Sequence, residues 1–261
     1  MRLATWNVNS VRARLARVLA YLEERQVDVL ALQETKVADE RFPSDAFNTA
    51  GYQVATWGDG GFNGVAIISR VGLDQVQRSF AGQPSFAEQL EPRAIGATCG
   101  SVRLWSLYVP HGRSVDNPHY TYKLAFLQAL QQTAGHWLAT SPDSRLALLG
   151  DWNIAPTDLD VWDPEVFAGQ THVSPAERAA FAAFAQSGFC EVVRQHLPQP
   201  NTYTYWDYRD QRFARNQGML IDFAYCSPAL TTAVREVTIV RQERHGKGAS
   251  DHVPVELLID D

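Results

Sequence analysis

Six apolar runs in this sequence end in side chains that can bind a metal ion or carry a proton. LATWNVN ends in Asn7 and Asn9, and LALQET ends in Glu34. WSLYVPHG presents Tyr108 and His111, and LALLGDWN presents Asp151 and Asn153. MLIDFAY sets Asp222 within an apolar strand, and Asp251–His252 precede the last apolar run. A single acid after a strand is usually a loop residue or a helix cap. A set is harder to dismiss, because strand ends are where α/β architectures gather their sites. Asp222 in particular costs free energy in an apolar strand unless it is paired or metal-bound.

The donor types define the chemistry. Carboxylates and amide oxygens without cysteine suit a hard divalent ion, which keeps waters and substrate phosphate in its shell. A closed zinc cage does not fit this set. His252, beside Asp251, is better suited to orienting a group or passing a proton than to completing such a cage.

Short elements must hold these residues in place. Strands are predicted at Arg2–Asn7, Asp28–Gln33, Tyr52–Thr56, Gly64–Ser69, Ile95–Cys99, Val102–Val109, Arg145–Leu149, Met219–Cys226, Glu236–Val240 and Val253–Ile259. In Ser10–Arg25, Val11, Leu15, Val18, Leu19 and Leu22 recur at helical spacing, with arginines on the other face. Further helices are predicted at Pro118–Ala139 and Ser174–Gln186. Many strands with few intervening helices imply a mixed or antiparallel sheet pair with helices outside, because a doubly wound parallel sheet needs a helix in nearly every connection. The glycines at 58, 60, 61 and 64 precede a strand, so they suit a hairpin rather than a phosphate loop, which opens a helix.

With 261 residues, 45% hydrophobic and 20% charged, the chain suits a globular protein. It contains no repeat or linker, and the reading is one domain over residues 1–261. No apolar run approaches the length of a membrane helix, so no membrane partner is expected. Arg12, Arg14 and Arg17 precede the first acid, Glu23, in the manner of a transit peptide, but Arg2–Trp6 alternates like a strand and Asn7 is wanted for chemistry. Cys99, Cys190 and Cys226 are widely spaced and odd in number, which fits buried thiols in a reducing cytoplasm. The net charge of −6 weighs mildly against nucleic acid, although a local basic face can coexist with an acidic remainder. Such a face is offered by residues 203–219, where Tyr203, Tyr205, Trp206, Tyr208 and Phe213 interleave with Arg209, Arg212 and Arg215. That mixture suits base stacking and phosphate contact.

In order along the chain, MRLATWNVNSVRAR, LQETK, NGVAI, YVPHG, GDWNIAP, TYWDYR, GMLIDF and SDHVPV resemble the successive signatures of the exonuclease III family of abasic-site endonucleases, within the endonuclease/exonuclease/phosphatase superfamily. The resemblance implies a four-layered α/β sandwich of two mixed β-sheets packed face to face, with helices outside. It also implies a monomer that uses Mg²⁺ or Mn²⁺ on double-stranded DNA, with abasic-site DNA among its substrates. The implied activities are 3′–5′ exonuclease, abasic-site endonuclease and 3′-phosphatase.

Carried onto this sequence, Glu34 holds the principal metal with Asn7 nearby. Asp151 orients or deprotonates the attacking water, or serves the leaving oxygen. Asn153 stabilises the pentacovalent phosphate, Tyr108 contacts the phosphate or assists the leaving group, and Asp222 orients His252 against the scissile phosphate. Asp251 joins Asp151, Asn153 and His252 at a second metal position. Tyr205, Trp206 and Met219 line the pocket for a flipped abasic sugar, while Arg93, His111 and Arg209 face DNA.

Two departures stand out: the family more often has Asn or Gln at His111, and usually Arg at Leu220. Leu220, two residues from Asp222, is expected on the same strand face and near the phosphate. His172, before the Ser174 helix, is a candidate for favouring exonuclease over abasic cleavage. Two other readings compete. One is a superfamily hydrolase of inositol phosphates or sphingomyelin, against which TYWDYR and GDWNIAP argue. The other is a non-catalytic protein on this fold, which would leave gaps in the acidic set.

Overall fold

The computed structural model describes residues 1–260. In chain order the elements are β1 (Arg2–Asn7), α1 (Val11–Arg25), β2 (Val29–Gln33), α2 (Ser44–Thr49), β3 (Gln53–Trp57), β4 (Val65–Ser69), β5 (Asp74–Arg78), β6 (Ala94–Cys99) and β7 (Val102–Tyr108). There follow α3 (Pro118–Thr140), β8 (Leu146–Asp151), α4 (Pro164–Phe167), α5 (Pro175–Gln186), β9 (Cys190–Glu191), α6 (Val192–His196), β10 (Asp222–Cys226), α7 (Pro228–Thr231), β11 (Val234–Ile239) and β12 (Val255–Ile259).

These strands form two six-stranded sheets, ordered β11-β12-β1-β2-β4-β3 and β5-β6-β7-β8-β10-β9. Each sheet contains one parallel pair, β1 with β2 and β7 with β8. A parallel pair needs a crossover, and α1 and α3 supply them. The main core fills the space between the sheets. Leu3, Val29 and Ile67 of the first sheet meet Leu104, Leu148 and Phe223 of the second. A second apolar layer, with Trp6, Val18, Tyr21, Leu22 and Leu30, seals α1 onto the outer face of the first sheet. The result is an α/β sandwich of two mixed sheets with helices outside, as the sequence implied.

Differences from the predicted elements have local causes. The segment DQVQR forms edge strand β5 although every residue in it is exposed; it offers no buried face to betray it. The strand predicted from Met219 begins only at Asp222. Upstream of it, the Leu220 N–H bonds the Asp160 carbonyl, and Met219 pairs with Tyr205. The glycine-rich stretch joins antiparallel neighbours β3 and β4, so it is a hairpin loop.

The topology brings the chemistry together. The carboxyl ends of β1, β2, β7 and β8 lie at one end of the sandwich, and antiparallel β10 starts there with Asp222 opposite Asp151. The approach of β8 to β7 is close enough that a Cβ at Gly150 would lie 1.9 Å from the Leu107 carbonyl oxygen. Glycine therefore precedes Asp151 for steric reasons.

Candidate active site

The centre of the site is the Asn7 amide. Its Nδ2 donates to Glu34 Oε1 at 2.8 Å and to Asp151 Oδ2 at 2.9 Å, joining a carboxylate from each sheet. Asn7 Oδ1 accepts from the Asn9 N–H. Glu34 also meets Lys36 Nζ at 2.6 Å. Burial pushes the Glu34 carboxyl upward, but Lys36 and the Asn7 bond outweigh it and hold it below its usual range. Glu34 and Asn153 both sit at positive φ, near 50°, a strained geometry for residues with a Cβ that clusters at functional sites.

His252 closes the opposite side. Its Nδ1 lies 2.9 Å from Asp222 Oδ2, and its Nε2 lies 3.7 Å from Asp151 Oδ2. Burial opposes its charge, yet the two aspartates prevail and lift its pKa to about 10. Burial lifts Asp151 to about 7, helped by Asp222 and opposed by His252. Asp222 Oδ1 is buried without a hydrogen-bond partner among the described residues. Donor atoms of Glu34, Asp151 and His252 all lie within 4.8 Å of one another. Two carboxylates converging on one spot offer the hard oxygen donors a divalent cation prefers. His252 supplies the third donor atom of this group, with its Nδ1 held against Asp222. Asp251 is tied to Asn9 through a 3.0 Å bond and faces the same cavity, of about 140 Å³.

Tyr108, at the end of β7, opens onto this cavity with Asn153. Burial raises its phenol well above the usual value, with Glu34 adding to the effect. Asn153 donates from Nδ2 to the Val109 carbonyl and meets His172 Nε2 at 3.1 Å. His111, Tyr205 and Met219 complete the wall, and the Tyr205 ring lies 4.9 Å from that of His252. Arg209 lies farther out, lining a second cavity.

Three expectations need correction. Arg93 does not face outward: it is 4% exposed, donates to Glu91 at 2.5 Å and to the Tyr108 carbonyl, and stacks 4.9 Å from the centroid of the Tyr108 ring. An arginine so enclosed supports Tyr108 rather than reaching a phosphate. Trp206 is fully buried and lines neither cavity. It packs on Phe213 and Arg241. Leu220 is fully buried in the main core and does not border the inner cavity.

Sequence reasoning missed the pair beneath Asn153. Lys123 and Glu177 are both fully buried and 2.5 Å apart. Lys123 also donates to the Asn153 and His111 carbonyls, while Glu177 accepts from Thr171, Ser174 and the His172 N–H. The pair thus ties together three segments of the wall. The signal was present: Lys123 falls on the buried stripe of α3 with His119, Phe126, Leu127 and Leu130.

The comparisons with known proteins fit this geometry. Residues 4–252 match the model of the endonuclease/exonuclease/phosphatase family. The chain belongs to that family. Among its relatives, exodeoxyribonuclease III of Haemophilus influenzae is 30% identical over 269 residues, covering 98% of each chain. The 3′ phosphatase NExo from Neisseria, solved with a product DNA hairpin, is 34% identical with a TM-score of 0.95, covering 100% of this chain and 99% of its own. An AP endonuclease from Archaeoglobus fulgidus is 31% identical with a TM-score of 0.93, covering 100% of both chains. Members of the family depend on divalent metal, and Glu34, Asp151 and His252 are the group here whose donor atoms lie close enough together to hold one.

Proposed function

We propose that this family member is a Mg²⁺- or Mn²⁺-dependent nuclease of double-stranded DNA repair. It removes nucleotides or phosphate from 3′ ends and incises at abasic sites. The observation that carries the reading is the bonded cluster in which Asn7 joins Glu34 to Asp151 and Asp222 holds His252, with Glu34, Asp151 and His252 facing one cavity. Such a set suits in-line displacement at phosphorus, which needs a water nucleophile, neutralised phosphate oxygens and help for the leaving oxygen.

Glu34 and Asp151, with Asn7 beside them, would hold the cation, and bound there it would neutralise the nonbridging oxygens of the phosphate. The remaining work falls to the chain's own side chains. Asp151 accepts a hydrogen bond from the attacking water or serves the leaving O3′. His252, held by Asp222, offers Nε2–H to a phosphate oxygen. Asn153 and Tyr108 bracket the same phosphate. Asp251 stands where a second cation would be shared with Asp151, Asn153 and His252. Tyr205 and Met219 border the space for a sugar, with Arg209 and His111 on the DNA side.

His172 narrows that space. It is 6% exposed and stands beside the sugar wall, which supports a preference for 3′ ends over internal abasic sites. The proposed setting is a monomer acting as one domain in the cytoplasm. No helix among the described residues is long and apolar enough to cross a membrane, and Cys99, Cys190 and Cys226 stand as free thiols.

The test is a set of end-labelled duplexes with a 3′-hydroxyl, a 3′-phosphate or one internal abasic site, incubated with Mg²⁺ and read for product length. Stepwise shortening and phosphate release are expected, with abasic incision increasing relative to both in His172→Gly. Intact DNA in all three cases would reject the reading, and an unchanged ratio would make His172 a bystander.

A further inference from the structure

Outside the inner cavity lies a larger one of about 390 Å³, and His111, His172, Tyr205 and Met219 line both. Its far wall contains Trp162 and Phe167, ring centroids 6.5 Å apart and nearly perpendicular. The Arg212 guanidinium lies 5.1 Å from the Trp162 centroid. Both rings are only partly buried. Arg113 and Arg209 also border this space, against Asp207 and Asp210. Asp210 stands 3.5 Å from Arg212, a loose contact. Trp162, Phe167 and Arg212 have no part in the hydrolysis derived above.

We propose that this outer cavity is a nucleobase subsite: when the phosphate of a 3′-terminal nucleotide occupies the inner cavity, its base packs against the wall of Trp162, Phe167 and Arg212. The inference rests on the nuclease reading and adds to it where the leaving nucleoside goes. A cavity of this size suits a nucleotide-sized ligand. Aromatic rings beside arginine bind any base through its π-face, without reading its identity. Three arginines against two aspartates favour an anionic ligand, and the shared wall keeps sugar and base continuous with the phosphate.

The reaction balances in this arrangement. Water oxygen bonds to phosphorus, the bond to O3′ of the penultimate nucleotide breaks, and a proton passes to that O3′. The terminal residue leaves as a 5′-mononucleotide whose phosphate and base span the two cavities. A terminal 3′-phosphate carries no such nucleoside, so its removal leaves the outer cavity unused.

The experiment is calorimetric titration of the whole protein in Mg²⁺ with dAMP and, separately, with 2-deoxyribose 5-phosphate. Stacking predicts that dAMP binds about tenfold more tightly than the sugar phosphate. Trp162→Ala should bring the two within about twofold, and leave 3′-phosphate release from duplex DNA within about twofold of the unmodified protein. Equal affinities in the unmodified protein, or a full dAMP advantage in Trp162→Ala, would overturn the proposal. Should Trp162→Ala fail to melt cooperatively, Arg212→Gln decides: a reduced dAMP advantage supports the subsite and an undiminished one removes it. A retained dAMP advantage in a protein that cuts no DNA end would refute the nuclease reading instead.

Discussion

His252 points Nδ1 at Asp222 Oδ2, 2.9 Å away, and leaves Nε2 facing the cavity that Glu34 and Asp151 border. The two partners are 30 residues apart in sequence. Asp222 opens β10 while His252 lies just before β12, so the pair bridges the two sheets. Asp222 thereby fixes the ring's direction and, together with Asp151, favours its charged form.

Removing either partner should uncouple chemistry from folding. His252→Ala is expected to lower turnover about a hundredfold or more, the range for a positioned charge-stabilising group. Asp222→Asn should lower it at least about tenfold on the same grounds. Steady-state assays beside thermal melts provide the check. Near-normal turnover in a folded variant would strike that residue from the mechanism.

Arg93 gives a sharper contrast, because its two readings predict different kinetics. As a support for Tyr108, its replacement by Gln should lower kcat roughly tenfold, within the range of a displaced acid–base group. The dependence of KM on salt should stay unchanged. A residue bound to DNA phosphate would instead reduce the salt slope by about one. That second pattern would return Arg93 to the DNA-contact set.

Leu220 is a stability position rather than an affinity position. Leu220→Arg places a cation in the main core with no carboxylate arranged to meet it. Burying an unpaired charge costs about 3 kcal/mol or more, which for a protein near this size lowers the Tm by roughly 6–12 °C. An unchanged Tm with tighter DNA binding would show that the side chain escapes to the phosphate site.

The acidic site was legible because its residues interrupt apolar strands. Asn7, Glu34, Asp151 and Asp222 stand out against buried runs such as LALQ and LALLG, and the tertiary fold had only to align the strand ends. Side chains whose role depends on direction were not legible. Arg93 follows a turn in sequence, and only the β6–β7 pairing turns it under Tyr108. Trp206 and Tyr205 are neighbours in one aromatic run, yet one is buried and the other lines the cavity, because Tyr205 pairs with both Met219 and His252. Edge strand β5 escaped for the opposite reason, since it buries nothing. The Lys123–Glu177 pair joins residues 54 apart on separate helices, so the buried position of Lys123 on α3 could be suspected but its partner could not.

The central claim is that hydrolysis depends on a divalent cation held between Glu34 and Asp151. The most direct measurement follows release of phosphate from a duplex with a 3′-terminal phosphate, first in excess chelator and then after Mg²⁺ or Mn²⁺ is restored, with Glu34→Gln in parallel. Activity should vanish with chelator and return with either ion. Glu34→Gln should stay at least about a hundredfold slower at saturating metal, as expected when a group that anchors charge neutralisation is lost. Full activity in chelator, or normal rates in a folded Glu34→Gln protein, would contradict the account.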